Sequence, residues 1–298
     1  MDKKRVNKRE FMRTHHKPSK LLEMWRIYKS NRMAVVGLAI FIFLLLTLLF
    51  AQVIADYQTM AIGANPLERL QPPSAKHWFG TDELGRDVFA RVIHGGRISL
   101  RISVSAALLC LLFSGIIGSL AGFYGGMVDN ILMRIIDVLA CVPCMVLAIC
   151  MVAVLGSSEF NLVVAIAVAT TVGLTRTVRT AVLSVRNMEY IEAARALGQS
   201  TWKIIIKHVL VNCVAPILVH LSIIIATNIL NTAELSFLGL GISAPAPEWG
   251  CMIAASRTHM RAYPHLVIAP GIAILLSAIS YNLIGDGLRD ALDPKLKR

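Results

Sequence analysis

Apolar residues run almost unbroken for the thickness of a bilayer at several points in this chain, beginning with Met33 to Ala51. Crossing about 30 Å of hydrocarbon takes about 20 such residues in helical form. Spans are therefore expected near 33–55, 100–124, 133–155, 159–175, 210–233 and 265–285, which makes the fold class all-α: a polytopic membrane protein with six transmembrane helices. The fourth run is the shortest, because Thr170, Thr171 and Arg176 interrupt it. Composition agrees, since 56% hydrophobic against 16% charged residues, with a mean hydropathy of +0.64, exceeds what one water-soluble core absorbs. The first run outlasts a signal-peptide core and about thirty residues precede it, so it is expected to be retained.

Charge placement orients the helices. Lys3, Lys4, Arg5, Lys8, Arg9, Arg13, Lys17, Lys20, Arg26, Lys29 and Arg32 face only Asp2, Glu10 and Glu23 ahead of the first span, which puts that segment in the cytoplasm. An even number of spans returns the C-terminus there. The loop after span four is basic too, with Arg176, Arg179, Arg186, Arg195, Lys203 and Lys207 against Glu189 and Glu192, whereas 56–97 is charge-balanced. The expected organisation is a cytoplasmic tail over 1–32, a first membrane helix over 33–55, an extracytoplasmic loop over 56–97, a transmembrane domain over 98–290 and a cytoplasmic tail over 291–298, in the cell membrane. Within the first tail, Leu21, Leu22, Met24, Trp25, Ile27 and Tyr28 alternate with Lys20, Glu23, Arg26 and Lys29, as in a helix lying at the headgroups. The part up to Ser19 reads equally as a basic tail without structure. Topology and anionic lipid account for the formal net charge of +12, and no aromatic-interleaved basic pattern points to nucleic acid.

The long polar interruption between Arg176 and Leu210 carries Glu192-Ala193-Ala194 and, after three residues, Gly198. A run of helix formers broken by glycine and then resumed gives a compact helix-turn-helix knob over 188–208. The alanines keep it small enough to enter a groove, and Glu192, Arg195, Lys203 and Lys207 can fix its orientation. A solvated amphipathic loop helix is the plainer alternative. The pattern resembles the cytoplasmic loop by which permease subunits of ABC importers engage their ATPases, although Val211 stands where the family has proline, which predicts a straighter start to the next span. The outer segment His77-Trp78-Phe79-Gly80-Thr81-Asp82-Glu83-Leu84-Gly85-Arg86-Asp87 is similar to a signature of the C-type permease subunits of dipeptide and oligopeptide importers. Its glycines permit tight turns, Pro66, Pro72 and Pro73 stiffen the approach, and Asp82, Arg86 and Asp87 can pair internally, so a structured flap is expected. Leu235 to Gly241, Pro245 to Gly250 and Asn282 to Pro294 match the same subunits.

The resemblance implies a type I ABC importer permease fold and a set of partners: a second, homologous permease chain, two ATPase subunits that bind ATP and Mg, and an extracytoplasmic solute-binding protein. It implies di- or oligopeptide cargo, with nickel, metallophore or glutathione systems of the same family as alternatives. No Gly-x-x-x-x-Gly-Lys-Ser/Thr occurs, so ATP hydrolysis and any nucleotide cofactor are expected in the partners rather than here. Gly239-Leu240-Gly241 lacks the third glycine of a dinucleotide site. Gly115, Gly118, Gly122 and Gly126 have the small-residue spacing of close helix packing.

Cys141 and Cys144 have C-x-x-C spacing, yet they and Cys150 fall in an apolar run where thiolates are disfavoured and further metal ligands are lacking. Cys251, alone in an outer loop, is expected to be the most reactive native thiol. His259 and His265 near the last span can meet a metal cargo or simply sit at the interface. A passage would be lined by the polar face of span five: His220, Thr227, Asn228, Asn231 and Glu234, with Ser222 and Thr232 nearby, unless these only bond neighbouring helices. A proton-driven secondary transporter would need intramembrane relays and inverted repeats, and an intramembrane hydrolase a nucleophile–base pair; neither is found.

Overall fold

The computed structural model describes residues 20–242 and 244–292; the basic tail before Lys20 and the end of the chain from Asp293 lie outside the described residues. Every regular element among them is helical. Amphipathic α1 (Lys20–Ser30) leads into α2 (Arg32–Leu49), which starts where the Asn31 side chain accepts from the Met33 and Ala34 amides. A loop then precedes α3 (Val88–Tyr124), capped by the Asp87 carboxylate on the Ala90 amide. There follow α4 (Gly126–Ala140), α5 (Cys144–Leu155), α6 (Glu159–Val185), α7 (Glu189–Ala196), α8 (Thr201–Phe237), α9 (Trp249–Ala255) and α10 (His265–Leu292).

Five helices, α2, α3, α6, α8 and α10, are long and apolar enough to cross a bilayer, and α4 with α5 makes a sixth crossing if that pair counts as one span. The pair is bent by 86°. A continuous helix over 133–155 was the expectation, but Pro143 lacks an amide hydrogen and pushes Val142 out of helical geometry, so the chain turns between Cys141 and Cys144. Two other spans exceed their apolar runs. In α6 the hydroxyls of Thr170 and Thr171 donate to the carbonyls of Ile166 and Ala167 at 2.8 and 2.7 Å, so neither breaks the helix. The 37-residue α3 begins at Val88, inside the segment expected as loop, because its polar first turns pack on protein.

The main core lies between α3, α6 and α8. Ile102, Leu162, Ile166, Leu174, Val178 and Val182 are buried there, and Gly118 and Gly122 let α3 close on Val178 and Val182. Gly115 and Gly126 face open space instead. The same core continues without a break into Ile191, Ala194, Ile204, Ile205 and Val209. Along one side, α2 packs on α10: Gly287 faces Ala34 and the Tyr28 ring, and the Asn31 amide donates to Asp290 at 2.7 Å. The segment expected to lie at the headgroups forms helix α1, with Trp25 and Tyr28 stacked at 5.8 Å, Lys29 over the Trp25 ring and Tyr28 buried within the chain.

Candidate coupling knob, flap and passage face

The flap is built from charges that find partners inside it. Asp82 accepts from the Leu84 and Arg86 amides through one oxygen and from the Arg86 guanidinium at 2.7 Å through the other, with Arg91 3.4 Å from that second oxygen. Asp87 divides its oxygens between the Ala90 amide and His77 Nδ1, both at 2.8 Å. Thr81 pairs with Asp87 across an antiparallel bridge and gives its hydroxyl to the Glu68 carbonyl. Gly80 and Gly85 hold the left-handed turns; at Gly85, φ is +74° and a Cβ would sit 1.8 Å from the Asn65 carbonyl oxygen. Lys76, hydrogen-bonded to Glu68, holds that carboxyl below the usual range. Arg91 also donates to the Ala61 carbonyl at 2.9 Å, so it ties the flap to α3. The 235–250 motif lands on the same helix end: the Trp249 indole donates to Val92, and wholly buried Glu248 caps α9 through the Gly250 and Cys251 amides while accepting the Ser99 hydroxyl at 3.0 Å. Arg91 and Ser99 carry no motif in the sequence, and His77 and Glu248 stand there only as members of longer motifs. An acid directly ahead of Trp249-Gly250 is the capping signal that marks Glu248.

The knob, at the other end of α3 and α6, is finished only on its inner side. Ile191 and Ala194 enter the core, as do Ile204 and Ile205 across the turn, while Glu192, Ala193, Arg195 and Lys203 are exposed. Gly198 makes the turn at φ +73°, its amide donating to Arg195 and that of Gln199 to Ala194. His208 bonds Gln199 at 3.0 Å, and Arg195 lies over the Phe123 ring at 4.9 Å. The outer side shows Leu197, 81% exposed, and Trp202, 58% exposed, among those charges. Beyond it, a π-helical turn occupies Ile205–Val209 and Pro216 sits inside α8, so the helix start is irregular on both sides of Val211 rather than straight.

Four of the five expected passage residues share one face of α8. His220, Thr227, Asn231 and Glu234 recur at helical spacing along the side that also exposes Ile223 and Leu230. Asn228 does not join them; wholly buried, it donates to the Ser103 carbonyl of α3 at 3.3 Å, and its own carbonyl takes the Thr232 hydroxyl at 2.7 Å. His220 Nδ1 is hydrogen-bonded with the Thr177 hydroxyl at 3.1 Å.

The thiols reverse one expectation. Cys141, Cys144 and Cys150 are exposed on this chain, whereas Cys251 donates to the Ile242 carbonyl at 2.8 Å, and burial beside Glu248 pushes its thiol up to about 12. Among the described residues no group of three or more His, Cys, Asp and Glu side chains could hold a metal ion. His259 instead approaches Glu83 at 3.6 Å, and His265 packs edge-on against Tyr263.

The family described as binding-protein-dependent transport system inner membrane component matches residues 114–298, and the N-terminal TM domain of oligopeptide transport permease C matches 19–73. The chain is 43% identical to a dipeptide transport system permease protein of Alkalihalophilus pseudofirmus, over 92% of its own length and 90% of the relative's. It is 43% identical to a glutathione transport system permease protein of Pectobacterium atrosepticum (92% and 91% covered) and 40% identical to an oligopeptide transport system permease protein of Bacillus subtilis (94% and 92%). In fold it is similar to an inward-facing structure of the MetNI methionine ABC transporter, with a TM-score of 0.53 and 16% identity over 66% of this chain and 96% of that one.

Proposed function

The chain belongs to the inner membrane components of binding-protein-dependent transport systems, the permeases of ABC importers, and we propose that it forms half of the passage through which di- or oligopeptides enter the cell. Near-full-length identity of 40–43% to permeases named for dipeptides, oligopeptides and glutathione, itself a tripeptide, carries that reading of the cargo.

The rest of the passage comes from a second, homologous permease chain. Two ATPase subunits bind ATP and Mg and supply all hydrolysis, this chain taking no catalytic part, and a solute-binding protein delivers cargo from outside. Both termini and the knob face the cytoplasm, as the basic tail and the basic 176–207 segment favour. Glu192, Ala193, Ala194, Gly198 and Lys203 form the docking element. Because its inner side shares one continuous core with α6 and α8, ATPase closure moves knob and spans together as a lever rather than flexing a loop. Gly80, Thr81, Asp82, Gly85, Arg86 and Asp87 hold the outer end of α3 fixed while that happens. His220, Thr227, Asn231 and Glu234 line the face past which cargo moves, and Asn228 secures that face to α3.

The test is ATP-dependent uptake by the complete importer in proteoliposomes, comparing labelled dipeptide, oligopeptide, glutathione and nickel. Peptide uptake that needs both ATP and the binding protein is expected. Uptake of nickel alone would end the peptide reading.

A further inference from the structure

Near the flap end, α8 borders an open cavity of about 540 Å³, a groove on the surface of this chain that also touches α5, α9 and α10. Met145, Leu230, Phe237, Ile253 and Ile274 make most of its wall, and Glu234 is the only polar side chain in it among the described residues. The Glu234 carboxylate has no hydrogen-bond or ion-pair partner among those residues. Glu234 is exposed on this chain, and a carboxylate standing alone among apolar side chains is complemented by an opposite charge brought to it. A bare metal ion would be a poor match, because hard cations need about six oxygen ligands and this wall offers one carboxylate. The complement is an ammonium group carried on an apolar side chain, and the volume lies in the range of about 300–1,000 Å³ that accepts small organic ligands.

We propose that this cavity receives the free amino terminus of a peptide, with Glu234 pairing the α-ammonium group and the apolar wall taking the first side chain. The inference rests on the peptide-import reading and gives it a determinant: cargo is selected at the outer end of the spans for a free amine next to a hydrophobic residue. A cationic side chain of the second permease, or the amine of a lipid headgroup, are the competing occupants.

The complete importer, with its native cysteines replaced and Leu230→Cys introduced, is reconstituted in phosphatidylglycerol vesicles that contain no amine lipid. Labelling by a methanethiosulfonate reagent is timed with and without phenylalanyl-alanine or its N-acetyl form. The free dipeptide should slow labelling about tenfold or more, the value of one charge-assisted hydrogen bond, and the acetylated form should not. Glu234→Gln should abolish the slowing and Glu234→Asp should retain part of it, each judged against the unprotected labelling rate of the same variant. Equal protection by both peptides, protection by neither, or a Leu230→Cys that does not label without peptide because a partner subunit closes the cavity, overturns the proposal. ATP-dependent uptake of the same dipeptide is measured alongside: protection without uptake keeps the amine site and removes the import reading, and uptake without protection does the reverse.

Discussion

The flap and the knob both carry charges of both signs, yet one is complete in itself and the other is not. In the flap Asp82, Arg86, Asp87 and Arg91 are all buried and every one of them has a partner within the chain. In the knob Glu192 and Lys203 are exposed, and Leu197 and Trp202 stand in the open beside them. Internal pairing makes a rigid cap on α3. Exposed charge around exposed apolar groups is the pattern of a surface that another protein covers, which is the docking role proposed for the knob.

The contrast breaks first at Asp82. Asp82→Ala strands two guanidinium groups in a buried site and should cost about 3–5 kcal/mol, seen as a lower Tm of the detergent-solubilised complex and less protein in the membrane. A full-strength Tm would mean that the flap is held by its backbone alone. Next comes the turn of the knob. Gly198→Pro forces φ from +73° toward the proline value and removes the amide bond to Arg195, so uptake and stimulated ATPase should fall about tenfold or more with normal membrane insertion. Glu192→Lys reverses one charge of the proposed docking element and should lower coupled uptake by roughly tenfold while leaving Tm unchanged. Normal uptake in both variants would remove the knob from the mechanism.

The smallest effects test which region faces which solution. Ser74→Cys on the flap should label from outside with an impermeant thiol reagent, and Ser200→Cys at the knob should not; the opposite result would invert the topology and leave the knob out of reach of a cytoplasmic ATPase. Native Cys251 will interfere little. A thiol raised to about 12 has almost no thiolate near neutral pH, so its labelling should stay slow and rise tenfold per pH step only as pH climbs toward that value. Fast labelling of Cys251 at neutral pH would show its contact with Ile242 to be open in the membrane.

Both regions were visible in the sequence to different depths. The flap announced its glycines and its Asp82–Arg86 pair, because residues four apart that must meet leave a local pattern. Its ties to His77, Arg91 and the distant 235–250 motif were hidden, since spacing along the chain does not reveal which loop returns to which helix end. The spans were legible wherever lipid faces them and illegible where protein does: the first turns of α3 and the threonines of α6 are polar because their bonds are made internally. Pro143 was in plain view inside an apolar run, and hydropathy, which averages over a window, does not register one missing amide. Periodicity placed His220, Thr227, Asn231 and Glu234 together, but whether Asn228 turned toward the open face or toward Ser103 depended on the position of α3.

The clasp between α1–α2 and the end of α10 has a bearing on how the protein is made. Among the spans, α2 buries only 17% of its apolar window within the chain, and its close neighbour, the Gly287 stretch of α10, is synthesised long after it. Until then α2 has little but lipid beside it. Its docking therefore comes late: a chain that stops before Gly287 lacks both the Asp290 partner of Asn31 and the glycine that faces the Tyr28 ring, and α2 is left without the helix it packs against.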